Sequence, residues 1–177
     1  MYKTETKLAQ IGNRSETATG TVNPPVYFST AYRHDGIGQS TGYDYTRTGN
    51  PTRHVLEKAI ADLESGDQGF ACSSGMAAIL TILSLFKTGD HLIVCKDLYG
   101  GTYRLFEEGY KKWGLCCSYV DTTDLSEIED AITPQTKAIF VETPTNPLMV
   151  ETDLEAVSGL AKAHGILLIC DNTFYTP

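Results

Sequence analysis

The sequence predicts an α/β fold in which a parallel-rich sheet carries helices on both faces and follows an extended N-terminal arm. From residue 51 onward, apolar runs of strand length alternate strictly with helical patterns, and the connections are short. The last run, residues 165–170, is apolar without alternation, which is typical of a parallel strand covered on both faces. Before residue 51 the chain lacks strong periodicity.

Two parts of the chain are predicted from this pattern: an arm over residues 1–50 and a partial α/β domain over residues 51–177. The arm contains Asn23-Pro-Pro25 and Gly36-Ile-Gly38, which indicate an extended segment with turns, suited to lie on another subunit. The 177 residues suffice for one domain with a sizeable core.

The first predicted helix, residues 52–65, has one apolar face and ends at Gly66. Asp124 is a plausible cap for the helix of residues 125–132, and Gly165 ends the helix of residues 154–164. The remaining predicted helices are residues 74–86 and 102–113, and the predicted strands are residues 69–72, 91–95, 115–120, 137–142 and 165–170.

Charge and composition exclude several classes of function. The formal net charge of −8 argues against nucleic acid or an anionic membrane as partner. No apolar stretch reaches the length of a membrane span, and the polar start is unlike a signal peptide, so we expect a cytoplasmic protein. The five cysteines and four histidines show no metal-ligand spacing, which predicts no metal site and reduced thiols that mostly fill buried strands.

Asp171 ends the last apolar run, and it is the most informative residue of the chain. A carboxylate in that position is costly unless a positive group or several donors meet it. In open α/β sheets, ligands bind at the carboxyl ends of the strands. We therefore expect Asp171 to face a ligand, and a protonated ring nitrogen is the partner that it would suit.

Ser73-Ser74-Gly75-Met76 stands where a strand turns into a helix. Backbone N–H groups at a helix N-terminus and serine hydroxyls bind anions, and glycine allows a phosphate to approach closely. Taken alone, the segment is more typical of a serine that caps a buried helix, because Ser-Gly is common at helix starts. No Walker lysine and no G-x-G-x-x-G accompany it, which disfavours nucleotide triphosphates and dinucleotides.

Each of three further segments, taken alone, allows two interpretations. Tyr45 and Arg47 could grip a phosphate or lie in a solvated loop. Tyr99, before two glycines, could stack on a ligand ring or cover a helix terminus. Asn146, held between two prolines, could point at a ligand or form a turn. Together with Asp171 they supply a phosphate cradle, an aromatic stacker, an amide and a carboxylate, a set that describes pyridoxal phosphate.

Five segments carry a resemblance to a known family. They are Tyr45-x-Arg47-x-Gly-Asn-Pro-Thr52, Ser73-Ser-Gly-Met-Ala-Ala78, Asp97-Leu-Tyr99-Gly-Gly-Thr102, Glu142-Thr-Pro-Thr-Asn-Pro147 and Asp171-Asn-Thr-Phe174. Their order and spacing resemble the Cys/Met-metabolism family of pyridoxal-phosphate enzymes over essentially the whole chain. The stretch Thr102-Tyr-Arg104-Leu-Phe106 is most similar to the cystathionine γ-synthase and O-acetylhomoserine thiol-lyase branch. The resemblance implies the major domain of a fold-type I transferase, in incomplete form.

The resemblance also implies how the cofactor phosphate is held. Tyr45 and Arg47 resemble the pair that reaches across a homo-oligomer, a dimer or tetramer, to the phosphate bound by the neighbouring subunit. Ser74, Gly75 and Met76 match the segment that donates hydrogen bonds to that phosphate.

The resemblance places the remaining residues around the ring and the substrate. Tyr99 matches the residue that stacks on the ring and assists proton transfer, and Asn146 is similar to the amide near the ring oxygen and the amino-acid substrate. Asp171 matches the carboxylate that keeps the ring nitrogen protonated, which makes the ring an electron sink. Further candidates are Thr173 for the cofactor, and Asp44 and Arg104 for the substrate, although Arg104 is equally typical of a surface helix residue.

The family's Schiff-base lysine lies on the strand that follows the carboxylate, and none of the nine lysines of this chain is in that context. We therefore expect an N-terminal part of a family member that is inactive alone. The predicted reaction of the intact relative is γ-replacement on an acylated homoserine, which gives cystathionine or homocysteine. Elimination by a cystathionine or methionine lyase, and a non-catalytic module that docks on a full-length partner, stay open as alternatives.

Overall fold

The computed structural model describes residues 2–13 and 16–176. The contacts within the chain define two units, one extending to Cys72 and the other comprising Ser73–Thr176. This division lies later in the chain than the predicted arm of residues 1–50 and domain of residues 51–177, and those domain limits stay a prediction. None of the helices in the described residues is long and apolar enough to span a membrane.

The first unit contains two helices, α1 (Thr4–Ala9) and α2 (Pro51–Glu64), joined by mostly irregular chain. The sequence did not predict α1, because its six residues bury no side chain and no side chain caps its start. Between the helices, the backbone makes isolated antiparallel bridges between Ala31 and Tyr45 and between Gly36 and Gln39. The irregular arm is therefore largely as predicted.

Helix α2 is fixed at both ends by local chemistry. The Asn50 side chain accepts hydrogen bonds from the N–H groups of Thr52 and Arg53, and Pro51 occupies the first helical position, where its missing N–H costs nothing. The amide of Asn50 also donates to the carbonyl of Tyr27, which ties the preceding chain to the helix. The helix ends at Ser65, whose backbone is left-handed, one residue before the predicted stop.

The predicted strand of residues 69–72 is wrong, since that segment is irregular. The N–H of Ala71 donates to the carboxylate of Glu57 rather than to a neighbouring strand. Gly69 lies directly on the backbone of α2, where a Cβ atom would stand 2.3 Å from the carbonyl oxygen of Glu57. The backbone at Gly69 meets the helix, whereas the side chains of Phe70 and Cys72 are exposed. A short apolar run of four residues therefore did not indicate a buried strand here.

The second unit is built on a parallel four-stranded sheet with the strand order β2-β1-β3-β4. The predicted parallel sheet is confirmed. The strands are β1 (His91–Cys95), β2 (Cys116–Val120), β3 (Thr136–Glu142) and β4 (Leu167–Asp171), and the helices are α3 (Gly75–Leu83), α4 (Gly100–Arg104), α5 (Leu125–Asp130) and α6 (Leu154–His164).

The helix predicted over residues 102–113 is three short helices in succession. α4 passes into one turn of π-helix, Leu105–Gly109, and then into one turn of 3₁₀-helix, Tyr110–Trp113. The chain ends this segment at Gly114, whose φ of 83° favours glycine. The apolar spacing indicated one helix because residues three or four positions apart lie on roughly the same side in all three types of turn.

Two apolar clusters show that helices cover both faces of the sheet, as predicted. On the face that we call the α3 face, Ala138 and Phe140 of β3 pack with side chains of α3 and with Phe106. On the opposite face, the α6 face, Ile139 and Val141 pack with side chains of α5 and α6. Successive residues of a strand point to opposite faces, so β3 supplies both clusters.

The cover over β4 is weaker than the sequence predicts. Leu167 is 54% exposed and Cys170 is exposed, because β4 lies at one edge of this sheet.

The expectation that the cysteines fill buried strands is also wrong in part. Cys95 is buried and Cys117 is half-buried, whereas Cys72 and Cys116 are exposed. Cys116 is exposed because β2 forms the other edge of the sheet.

The thiols should therefore differ strongly in reactivity. Burial raises the pKa of Cys95 to about 12 and that of Cys117 to about 12, and the thiolate is the reactive form. At pH 8 we expect Cys72 and Cys116 to react with a disulfide reagent at least 100-fold faster than Cys95 and Cys117. Mass mapping of the labelled peptides measures this, and equal labelling of Cys95 in the native chain would contradict the packing.

Candidate functional site

A pocket of about 260 Å³ opens at the carboxyl ends of the strands of the second unit. Ligand sites in open α/β sheets lie at this edge, and ligand pockets begin at roughly 300 Å³, so this one suits a small ligand. It is formed by the start of α3, the loop after β1, the loop after β3 and the end of β4. Its lining residues are Ser74, Gly75, Met76, Ile79, Tyr99, Glu142, Pro144, Asn146, Asp171, Thr173 and Phe174.

The N-terminus of α3 supplies the donors of the pocket. The hydroxyl of Ser74 accepts a hydrogen bond from the N–H of Ala77, which makes Ser74 the cap of this nine-residue helix. The N–H groups of Gly75 and Met76 belong to the first turn, where no intrahelical acceptor exists. A Cβ atom on Gly75 would meet nothing within 4 Å, so the backbone there is open to an approaching group. The segment therefore caps a helix and can also bind an anion, and the two interpretations are compatible.

The ring of Tyr99 stands over the pocket at the start of α4, and it is 45% exposed. A Cβ atom on Gly101 would come within 2.4 Å of this ring and within 3.1 Å of the sulfur of Met76. The second glycine of the pair is therefore needed for the position of the ring. Because Tyr99 lines the pocket and its side chain is partly exposed, its ring is available to stack on a planar ligand.

Asp171 is the last residue of β4, and its carboxylate borders the pocket. Its Oδ1 atom accepts hydrogen bonds from the backbone N–H of Thr173 at 3.1 Å and from the Thr173 hydroxyl at 2.5 Å. Thr173 thereby fixes the orientation of the carboxylate. Both bonds end on one oxygen, which leaves Oδ2 with acceptor capacity for a ligand that carries a positively charged donor.

Glu142, the last residue of β3, is a second carboxylate of the pocket. It is paired with Asp171 in the parallel register, so the two side chains point to the same face, the α3 face. Its Oε2 accepts from the N–H of Tyr99 at 2.7 Å, and its Oε1 accepts from the N–H of Asn146 at 2.8 Å. One side chain thus holds two of the residues that line the pocket, Tyr99 and Asn146.

The charge of Glu142 is unfavourably placed. Glu142 is only 4% exposed, and this burial raises its pKa, with the charges of Asp171 and Asp97 adding to the rise. A carboxyl whose pKa is higher in the folded state stabilises the fold most below its ordinary pKa of 4.5, and this contribution is lost as the pH rises through the raised value. Ionised Glu142 therefore costs stability at neutral pH.

Asn146 lies in the loop that follows β3, and it borders the same pocket. Thr145 anchors this loop to the loop after β1, since its hydroxyl donates to Asp97 at 2.5 Å. The backbone of Thr145 also pairs with Val150, which closes the loop on itself. Asn146 is thus held by the hydrogen bond from its own N–H to Glu142 and by the anchoring of its neighbour, Thr145.

The other predicted phosphate ligands lie in the first unit. The guanidinium of Arg47 stacks on the ring of Tyr45, 5.0 Å from its centroid, so the two side chains do share one side. The backbone between them is a turn and not an extended segment, because Tyr45 accepts the N–H groups of Thr48 and Gly49.

The two predicted substrate contacts, Asp44 and Arg104, do not border the pocket. Asp44 accepts hydrogen bonds from Ser40 at 2.5 Å and from His34 at 2.8 Å, and its pKa is lowered by the Ser40 bond and by His34. Arg104 is exposed on α4, one turn after Gly100. Their roles stay predictions.

None of the residues that line the pocket is a lysine. Lys96 follows β1 at the correct edge of the sheet, but its ammonium pairs with Asp121 at 2.9 Å. Lys87 precedes β1 and so lies at the opposite edge of the sheet.

The sequence predicted no role for Glu142 or Thr145, whereas the two glycines after Tyr99 were already associated with the position of its ring. A carboxylate that ends an apolar strand was the available signal for Glu142, the same signal that singled out Asp171. No local signal could have identified Tyr99 as its N–H partner, because the two residues are 43 positions apart along the chain.

The fold and the pocket define a class of protein: an α/β domain whose pocket suits a small planar ligand that carries both an anionic group and a cationic nitrogen. The donors at α3 suit the anion, the ring of Tyr99 suits the plane, and the carboxylate of Asp171 suits the cation. These three groups fit pyridoxal phosphate, which carries a phosphate and a ring nitrogen at separate positions of one aromatic ring.

Comparison with known proteins agrees with this class. The model of the family described as Cys/Met metabolism PLP-dependent enzyme matches residues 5–177. The chain is 65% identical over 173 residues to the cystathionine gamma-synthase/O-acetylhomoserine (thiol)-lyase of Bacillus subtilis, a match that covers 98% of the chain and 46% of that relative. The chain thus spans about half the length of the relative.

Solved structures with the same fold include members of two reaction types. Cystathionine gamma-lyase from Lactobacillus plantarum, complexed with L-serine, matches with a TM-score of 0.93 and 52% identity over 98% of the chain and 45% of that protein. Cystathionine gamma synthase from Xanthomonas oryzae, in complex with aminoacrylate and cysteine, matches with a TM-score of 0.95 and 40% identity over 100% of the chain and 46% of that protein.

The chain belongs to the Cys/Met-metabolism family of pyridoxal-phosphate-dependent enzymes. Its sheet and helices correspond to an incomplete fold-type I domain, as the resemblance implied. The matched relatives are synthases and lyases of trans-sulfuration, and pyridoxal phosphate is the cofactor of the family.

Proposed function

We propose that the chain is the N-terminal, cofactor-binding part of an enzyme that carries out γ-replacement on an acylated homoserine and yields cystathionine or homocysteine. The observation that carries the proposal is the placement of Asp171, Tyr99 and the α3 N-terminus around one pocket. The 65% identity to a cystathionine gamma-synthase/O-acetylhomoserine (thiol)-lyase supports the branch.

In this proposal each group of pocket residues binds a different part of the cofactor. The backbone N–H groups of Gly75 and Met76, with Ser74, bind the phosphate, and Tyr99 stacks on the ring. The carboxylate of Asp171, oriented by Thr173, accepts a hydrogen bond from the protonated ring nitrogen. When bound, the cofactor supplies an electron sink for carbanions of the substrate, and protonation of its ring nitrogen strengthens that sink.

The amino-acid substrate is assigned to the same edge of the sheet. Asn146 contacts the ring oxygen and the substrate, Tyr99 moves a proton at the substrate through its hydroxyl, and Asp44 and Arg104 are further candidates for substrate contacts. The related proteins that hold L-serine or cysteine in their structures support an amino acid as the substrate class.

The arm supports an oligomeric assembly. Tyr45 and Arg47 lie together as one stacked, exposed pair, which suits the grip of a phosphate. We assign this pair to the phosphate held by a neighbouring copy in a homo-oligomer.

The cellular compartment that we propose for the protein is the cytoplasm.

The absence of a lysine around the pocket supports a further part of the proposal. The chain holds the cofactor without a covalent bond and has no trans-sulfuration activity on its own.

Elimination is the second candidate reaction, supported by the 52% identity to a cystathionine gamma-lyase. Joining the chain to the complementary part of the B. subtilis relative would separate the two, because elimination releases ammonia and γ-replacement does not.

Titration of the purified chain with pyridoxal phosphate tests the proposal. We expect saturable binding of one cofactor per chain, weakened at least tenfold for pyridoxal without its phosphate, because the α3 donors then lose their partner. Borohydride should leave no cofactor attached to the protein. Absence of saturable binding would refute the cofactor site, and a stoichiometric reduced adduct on one lysine would refute the non-covalent mode.

A further inference from the structure

We propose that Glu142 is a positioning residue that holds Tyr99 and Asn146, two residues that line the pocket, and so sets the space between the stacking ring and the amide. The inference deepens the proposed function and rests on it for the identity of the ligand. Its structural part, the bridge between the two loops, stands on contacts within this chain.

The geometry of Glu142 is that of a bridge. Its two oxygens are used separately, one for the N–H of Tyr99 and one for the N–H of Asn146. The carboxylate thus joins the loops that follow β1 and β3 through the two residues that border the ligand. Its own backbone N–H donates to the sulfur of the buried Cys95, so the base of the bridge is fixed on β1 as well.

The energetic cost of Glu142 argues against a purely structural role. The side chain is buried, it lies beside Asp171 in the strand register, and an ion pair does not compensate it in the described part of the chain. Buried carboxylates are costly without a compensating charge. A neutral side chain would suit stability better, whereas a carboxylate offers a separate acceptor oxygen to each of the two N–H groups, and glutamine has only one.

A second link between the same loops makes the assignment testable. Thr145 donates to Asp97 and so joins the two loops without contact to the ligand pocket. If any link sufficed, loss of Thr145 and loss of Glu142 would have equal effects on the pocket. If Glu142 positions the flanking residues, its loss alone should change them.

Glu142→Gln is the appropriate change, because it keeps the shape but places an NH₂ group against one of the two N–H donors. Hydrogen exchange of the chain without cofactor is the first measurement. We expect exchange of the Tyr99 or Asn146 amide to rise at least tenfold relative to the Phe140 amide in the core of β3, since a hydrogen bond to a charged acceptor is lost there. In Thr145→Val both amides should keep their protection relative to Phe140.

Unchanged relative protection of both amides in Glu142→Gln would overturn the bridge. Equal acceleration of all three amides would overturn it too, since that result indicates general destabilisation. Glu151→Gln, which removes an exposed carboxylate, is the matched charge control and should change none of them.

Circular dichroism of the bound cofactor is the second measurement. We expect Glu142→Gln to bind pyridoxal phosphate with its visible dichroic band reduced at least twofold at saturation, and Thr145→Val to keep the band. A full band in Glu142→Gln would refute the positioning role. If the unaltered chain binds no cofactor, the proposed function fails, while the exchange result still decides whether Glu142 holds the two loops.

Discussion

Replacing Asp171 by asparagine should weaken the binding of pyridoxal phosphate by about 10- to 100-fold. A hydrogen bond to a charged group contributes about 1.5–3 kcal/mol, and each 1.4 kcal/mol corresponds to a factor of ten in affinity. Asparagine keeps the size of the side chain, and its oxygen can still accept from Thr173. The remaining NH₂ group would then face the N–H of the ring, donor against donor, and the ring nitrogen would lose its proton.

Equilibrium dialysis against the cofactor measures this change. Asp130→Asn is a suitable control, because Asp130 is exposed at the end of α5 and does not border the pocket. We expect the control to bind as the unaltered chain does. Affinity within twofold of the unaltered chain for Asp171→Asn would show that this carboxylate does not contact the ring nitrogen.

Replacing Phe140 by alanine should destabilise the second unit by about 3–5 kcal/mol. Phe140 is fully buried in β3 and meets Phe106 edge to face at 5.5 Å between ring centroids. The substitution leaves a cavity at the centre of the α3 face, which supports the pocket from below. Total stabilities of domains are about 5–15 kcal/mol, so the loss is a large part of the whole.

Urea unfolding followed by far-ultraviolet circular dichroism measures the loss as a shift of the transition midpoint. Phe70→Ala is the matched control, since Phe70 is 76% exposed and its truncation should change the free energy of unfolding by no more than about 0.5 kcal/mol. A loss below about 1 kcal/mol for Phe140→Ala would contradict the two-cluster core.

The sheet was predictable because the apolar runs of β1, β3 and β4 are long enough to exclude other assignments. Their parallel order followed from the helices between them, and every strand that pairs in the sheet was expected within two residues. Helix α1 and the segment of residues 69–72 were not predictable. The first has no buried face, and the second owes its conformation to Glu57, which is distant in sequence.

The pocket was predictable to the extent that each contributor follows a strand or opens a helix. Ser74, Gly75, Met76, Tyr99, Asn146, Asp171 and Thr173 do so, and they all border one pocket. The role of Glu142 was not predictable, because it depends on two backbone N–H groups whose positions only the fold fixes. Sequence patterns report where a side chain enters a sheet, and they report less about which loop it meets.

The most direct test of the central claim is the protonation state of the ring nitrogen of pyridoxal phosphate bound to the chain. Nitrogen-15 NMR of labelled cofactor distinguishes the protonated from the unprotonated ring by chemical shift. We predict a protonated nitrogen at pH 8 in the unaltered chain and an unprotonated one in Asp171→Asn. An unprotonated nitrogen in the unaltered chain, or the same shift in both proteins, would contradict the assignment of Asp171 as the partner of the ring.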